Sequence, residues 1–208
     1  MSILSNSEKS KILNNPSIVS REILKFNKID FDNYDETLVK SCKPYYKKFT
    51  DQQIKQKTTK IYNIYKQFKD SVKNLSVTDL ENILNLYDDE FFDGKIKKYM
   101  KNNDYKLVIK TDGEPTFTTE GFCVNNKCSY TITFPLKKFK FENLSVLVGG
   151  IDCKDQLECL QRAIEHELTH LIIFMFCGDH VVADKHEELF MNMVSNYFRH
   201  NDFRHYIF

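Results

Sequence analysis

Apolar residues recur at steps of three and four through two long stretches of the chain, and at steps of two between them. Ile54, Ile61, Ile64, Tyr65, Phe68, Val72 and Leu75 form one stripe through a lysine-rich background. That stripe predicts a long helix, which Pro44 could open because proline is tolerated in the first helical turn. Thr78-Asp-Leu-Glu81 has the spacing of a capping box, and Leu80, Ile83, Leu84, Tyr87 and Phe91 then fall on one helical face, with Gly94 as a stop. The period next switches to two. Residues 105–110, 116–123 and 128–135 read as strands, with Asn125-Asn126 as the turn between the last two. Residues 141–150 are apolar enough for an edge strand but also read as loop. Asp152 or Asp155 can cap a helix in which Leu157, Leu160, Ile164, Leu168 and Leu171 repeat up to Gly178, and a last helix runs from about residue 184 to 200. Residues 1–39 carry only a weak helical signal, and the chain has neither an internal repeat nor a low-complexity tract. The order of helices, antiparallel strands and helices predicts an α+β fold.

Composition narrows the class. The chain has 208 residues, 41% hydrophobic and 28% charged, with 6 Gly and 4 Pro, which excludes a disordered or collagen-like protein. It has no uninterrupted apolar run of membrane-spanning length, and its first residues lack the apolar core of a signal peptide. The expectation is an intracellular protein without membrane association, in the cytoplasm or nucleus. Its six cysteines are then expected reduced, and no C-x-x-C pair suggests a zinc ribbon. Cys123 and Cys128 flank the predicted turn and read as neighbouring thiols rather than a metal pair.

A net charge of +1 hides segregation. Residues 40–73 hold ten lysines against Asp51 and Asp70, whereas residues 74–94 hold six acids and no base. Residues 95–110 return to six lysines against Asp104, and the chain from residue 150 onward carries ten acids against five bases. Such blocks mark either solvated helix faces or a surface for a polyanion. Lysine outnumbers arginine 26 to 4, a bias that an AT-rich genome would produce and that would suit a large DNA virus or an AT-rich microbe.

The chemistry lies in His166-Glu167-Leu168-Thr169-His170. Residues four apart share a helix face, so both imidazoles can reach one metal ion, and Glu167 stays near enough to take a proton from a water on that ion. The motif sits in the most strongly helical segment, followed by the apolar run 171–176. A catalytic zinc needs a third protein ligand and one open position. The metzincin pattern would require Gly at 173 and His at 176, where this chain has Ile173 and Phe176, so that class is excluded. Candidates for the third ligand lie beyond Gly178: His180, Asp184, His186, Glu187 and Glu188. A loop that lets the last helix fold back favours His186 or Glu187.

Four elements in order resemble the SprT-like, or Spartan-type, zinc metalloproteases. They are Phe91-Phe92-Asp-Gly94 at a helix end, Gly121-Phe122-Cys123 followed by Tyr130-Thr-Ile-Thr133, the helix with His166-Glu167-Leu168-Thr169-His170, and His186-Glu-Glu-Leu-Phe190. The resemblance covers about residues 77–200. It implies a zincin-like α+β domain over residues 75–208, with a small antiparallel sheet and an active-site helix, preceded by a lysine-rich helical extension over residues 1–74. It also implies Zn2+ as cofactor, with His166, His170 and His186 as metal ligands and Glu167 as the general base. The glycine that follows the third histidine in the family is Glu187 here, which makes Glu187 a competing ligand.

The resemblance further implies a metalloendopeptidase whose substrate is protein, including protein bound or crosslinked to DNA. This sequence shows neither the family's zinc ribbon nor its long tail, so DNA contact is expected from this chain's own basic surfaces. Lys137, Lys138 and Lys140, interleaved with Phe139 and Phe141, combine cations with stacking rings; the same pattern also reads as a strand with lysines outward. The lysines of residues 40–73 and Lys95, Lys97, Lys98 and Lys101 are the other candidates. His200 and His205 are expected to be structural. Two alternatives stay open: a zinc peptidase with no DNA role, and a non-enzymatic DNA-binding or assembly protein with a residual metal site.

Overall fold

Why the first helix starts where it does is visible in its cap. Thr50 accepts a hydrogen bond from the backbone N–H of Gln53, and the Gln53 side chain accepts one from Thr50 N–H, a reciprocal box that satisfies two orphan donors. The computed structural model describes residues 48–112, 116–125, 127–138, 146–177 and 188–204, all within one compact unit. Pro44, the lysines at 40, 43 and 47, and residues 1–39 lie outside them.

Helix α1 spans Asp51–Tyr65 and buries Ile54, Thr58, Ile61 and Tyr65. It is shorter than the stripe predicts. Two 3-10 turns, Lys66–Phe68 and Val72–Asn74, take over, so Val72 and Leu75 are buried from a turn and not from a continuous helix. Helix α2, Val77–Phe92, begins two residues before the expected box: Ser76 and Asp79 cap each other reciprocally, with Asp79 accepting from the Ser76 N–H at 2.9 Å. Asp93 and Gly94 both take left-handed backbone angles and turn the chain directly into α3, Lys95–Asn103, a helix the apolar pattern does not announce. Asp88 makes this tight junction possible by accepting from the N–H groups of Ile96 (3.0 Å) and Lys97 (2.9 Å) at the start of α3.

Strands β1 (Lys106–Lys110), β2 (Thr118–Val124) and β3 (Lys127–Thr133) form one sheet in the order β1-β3-β2. β2 and β3 pair antiparallel as expected, with Val124 opposite Lys127 and Asn125 left-handed at φ 51°; Asn126 lies outside the described residues. The sheet is mixed, not purely antiparallel: β1 pairs parallel to β3, with Ile109 opposite Ile132. After β1 the chain crosses to the far edge, and the hairpin then returns β3 through the middle. The apolar inward side of β3 (Tyr130, Ile132) suits that doubly flanked position. Cys123 and Cys128, directly opposed in this hairpin, are joined in a disulfide and are not the separate thiols expected.

A second, two-stranded ribbon, β4 (Val146–Val148) and β5 (Ile151–Cys153), turns on Gly149 and Gly150, whose φ values of +60° and +74° give the turn its hairpin hand. A Cβ on Gly149 would come within 2.2 Å of His200 Nδ1. The glycine is needed there because the segment after Phe198 closes over the turn, with Asn201 N–H donating to Gly149 O at 2.9 Å.

Helix α4, Gln156–Phe176, is capped by Asp155, which accepts from Glu158 N–H at 2.9 Å, and it is the centre of the fold. Of its 21 residues, Leu157, Leu160, Ile164, Leu168 and Leu171 are buried as the periodicity requires, but so are Gln161, Glu165, His166, Glu167, Thr169 and His170. A helix buried on all faces must satisfy its polar side chains internally. Helix α5, described over Glu188–Phe198, packs on α4 and meets α2 in an aromatic cluster: Phe91–Phe198 at 5.1 Å, Phe92–Tyr197 at 5.0 Å and Tyr87–Phe198 at 5.9 Å between centroids. Among the described residues no helix is long and apolar enough to cross a membrane.

Candidate metal centre

The buried polar residues of α4 sort into two groups separated by a single peptide unit. Glu165 belongs to the first. It accepts from Tyr87 Oη (2.9 Å), from Arg162 Nη1 (2.9 Å to Oε2) and pairs with His200 Nε2 (2.8 Å), while Arg162 also reaches Glu158. Burial alone would raise the Glu165 carboxyl, but the Arg162 charge and the His200 hydrogen bond outweigh it and hold the group below its usual range. Burial pushes the His200 imidazole down and keeps it neutral more readily. His200 therefore has the structural position expected of it, tying the C-terminal segment to α4; His205 lies outside the described residues.

The second group is the motif. One helical turn brings His166 Nε2 and His170 Nε2 to 3.1 Å from each other, with ring centroids 4.9 Å apart. At this distance both lone pairs can converge on one cation: two Zn–N bonds of about 2.05 Å at a tetrahedral angle span about 3.3 Å. The donor pair thus fits zinc. Phe190 of α5 lies against both imidazoles, at 4.7 Å from His166 and 4.4 Å from His170, and fixes their ring planes by packing. His186, expected as the third ligand, and its rivals His180, Asp184 and Glu187 lie outside the described residues, as does the side chain of Glu188. Among the described residues no group of three His, Cys, Asp or Glu side chains comes together to hold a metal.

Glu167 points off the histidine direction and is 2% exposed. Its partner is Thr119 on edge strand β2, whose hydroxyl lies 2.8 Å from Glu167 Oε2 and 3.1 Å from the Glu167 backbone oxygen. Burial raises the Glu167 carboxyl to about 8, against the lowering effect of the Thr119 hydrogen bond. A dication held by the neighbouring imidazoles would favour the carboxylate and draw that value down. Thr119 carries no motif signal. Strand alternation puts it on the same side as Gly121, and only the packing of β2 on α4 reveals its contact. That packing is close: a Cβ on Gly121 would stand 3.3 Å from the Phe174 ring.

The lysines expected to touch DNA are divided. Lys137 and Lys138 occupy a 3-10 turn, Leu136–Lys138, not a strand, and Lys137 pairs with Asp112 at 3.2 Å. Lys140 lies outside the described residues, with Phe139 and Phe141. In the first block, Lys57 and Lys60 both engage Glu90 of α2. In the third, Lys97 pairs with Asp89 and Lys95 with Asp93. A cleft of about 330 Å³ lies away from the histidines, between α1 and the first half of α4. Of the four cations that line it, Lys55, Lys154, Arg162 and Arg199, Arg199 is paired with Asp51, and Arg162 and Lys154 with Glu158. We assign this cleft no role.

Comparisons with protein-family models, with curated proteins and with solved structures returned no match.

Proposed function

We propose that this chain is a zinc-dependent metalloendopeptidase of SprT-like type with a zincin-like fold, whose substrates are proteins, including proteins bound or crosslinked to DNA. One observation carries the reading: two imidazoles whose Nε2 atoms meet at 3.1 Å beside a buried, hydrogen-bonded Glu167. Such a trio is costly as mere structure, because it places three titratable groups in an apolar interior. It becomes useful when a cation takes the lone pairs. His186, four residues before Phe190, is the proposed third ligand, and the contact of Phe190 with both imidazoles supports that choice.

Zinc held there supplies Lewis acidity, polarising a carbonyl and acidifying a water molecule. Glu167 does the proton work. With Oε2 engaged by Thr119, Oε1 takes the proton of the attacking water and returns it to the departing amine. Phe190 keeps water from the outer faces of the imidazoles, and Thr119 prevents the carboxylate from rotating away.

Elemental analysis of protein purified without added metal tests the site. About one zinc per chain is expected, lost in His166→Ala and in His186→Ala. Zinc retained in His186→Ala moves the third ligand to Glu187 or another group, and no zinc in the wild type refutes the reading. Glu167→Gln should keep the metal and lose proteolysis; full activity in that variant would overturn the assigned role of Glu167.

A further inference from the structure

The outer face of the three-stranded sheet is exposed at Lys106, Val108, Lys110, Glu120, Phe122, Val124 and Lys127, and its composition is specific. Alternation sends Thr119 and Gly121 of β2 toward α4 and sends Glu120, Phe122 and Val124 the other way. Phe122 is 72% exposed, the most exposed large apolar side chain among the described residues, with Val124 at 50% and Val108 of β1 at 40%. The register builds rows across this face. Phe122 stands opposite Ser129, which stands opposite Lys106; Val124 faces Lys127; Thr118 and Thr133 share a row with Lys110. Lys106, Lys110 and Lys127 are all exposed, and Glu120 is the one acid among these positions. Among the described residues Lys127 pairs with Asp104, at 3.7 Å and solvent-exposed, a contact that salt and water weaken to almost nothing.

Phe122, Val124 and Val108 leave an apolar surface in water on one sheet face, and the exposed lysines on the same face disfavour burial against an ordinary apolar protein surface. The geometry points to this face as a platform for single-stranded nucleic acid: an unpaired base stacks on Phe122, and the backbone phosphates pass over Lys106, Lys110 and Lys127. Rows two residues apart along a strand are separated by about 6.6 Å; Lys106 and Lys110 lie two rows apart on β1, so they meet alternate phosphates of an extended strand, with Lys127 one row beyond Lys106 on the neighbouring strand. The Cys123–Cys128 bridge, beside Phe122, stiffens the hairpin that presents the ring. A duplex cannot use the ring, because its base faces are already stacked. The inference rests on the nucleic-acid part of the proposed function and not on its chemistry. It adds a reason for the arrangement: β2 carries the stacking ring on one face and, three residues earlier, the Thr119 that holds Glu167 on the other, so protein attached to a bound strand would sit within reach of the motif.

The test is fluorescence anisotropy with a labelled oligothymidylate of about twenty nucleotides and its duplex, on the full chain carrying Glu167→Gln so that no proteolysis intervenes. Single strand should bind more tightly than duplex. Phe122→Ala should weaken single-strand binding by about 5- to 150-fold, the range of one lost base–aromatic stack, and leave duplex binding unchanged. Phe122→Tyr should restore affinity, whereas Phe122→Leu should not. Lys106→Gln with Lys110→Gln should lower the slope of log affinity against log salt by about 1.4. The inference is overturned if Phe122→Ala binds as the parent does, if Phe122→Leu retains full affinity, which would show that no ring stacking is involved, or if the parent binds no oligonucleotide. Proteolysis by the wild type alongside any of these results would leave the metalloprotease reading standing.

Discussion

Removing the charge of Glu165 should destabilise this protein more than any surface substitution, and the structure allows the cost to be worked. The carboxylate is fully buried and accepts from three side chains: Tyr87 at 2.9 Å, Arg162 at 2.9 and 3.2 Å, and His200 at 2.8 Å. Breaking a buried ion pair by deleting one partner typically costs 3–5 kcal/mol, because the other charge is left without compensation. Arg162 keeps Glu158 and is 14% exposed, so the lower end applies, and Glu165→Gln should lose about 3 kcal/mol. Glu165→Ala adds a cavity and should lose more. The assay is guanidinium unfolding followed by circular dichroism with a chelator present, so that metal linkage does not enter. With a slope of about 4 kcal/mol/M, the midpoint should fall by about 0.7 M. Tyr87→Phe alone removes one hydrogen bond to a charged acceptor, worth about 1.5 kcal/mol, and should be less than additive with Glu165→Gln because the two share that bond. A loss below about 1 kcal/mol for Glu165→Gln would mean that the carboxylate is solvated and that the network does not anchor α4; the reasoning would then fail.

Three other outcomes follow from single contacts. Thr119→Val, which keeps shape and removes the hydroxyl, should retain zinc and lower proteolytic kcat by about tenfold or more, with Thr119→Ser restoring it; unchanged kcat would show that Glu167 needs no such anchor. Asp88→Ala should cost about 1–2 kcal/mol by stripping the acceptor from the first turn of α3, read as a loss of unfolding free energy. His200 has a folded-state pKa below its ordinary 6.5, so the unfolded chain binds the proton more readily. Its contribution to stability is therefore present above pH 6.5 and lost as pH falls toward the folded value. Stability measured between pH 7 and 5.5 should drop less steeply in His200→Asn than in the wild type, and an identical slope would refute the assignment.

Local chemistry was readable wherever a residue acts on its near neighbours. The apolar steps of α2 and α4, the pairing of β2 with β3 and the pairing of His166 with His170 on one helix face depend on local period, and the structure has them. Capping was readable in kind but not in place. Ser76 and not Thr78 caps α2, because Asp79 at the third helical position can return the bond to the Ser76 N–H. Helix α3 escaped the apolar pattern because only Ile96 and Met100 are buried, and its start depends on Asp88 from the preceding helix.

What tertiary structure alone decided has a common cause: strand order, and contacts between residues far apart in sequence, follow from which surfaces meet, and no local period encodes that. The parallel pairing of β1 with β3 arises because the hairpin returns through the middle of the sheet. Thr119 meets Glu167 across 48 residues of sequence, and His200 meets Glu165 across 35. The sequence by itself determined that two imidazoles and a carboxylate share one turn of a buried helix. Packing of an edge strand, an aromatic helix face and a C-terminal segment against that helix decided which partners hold them, because a buried polar group takes whichever donor the surrounding elements bring within about 3 Å.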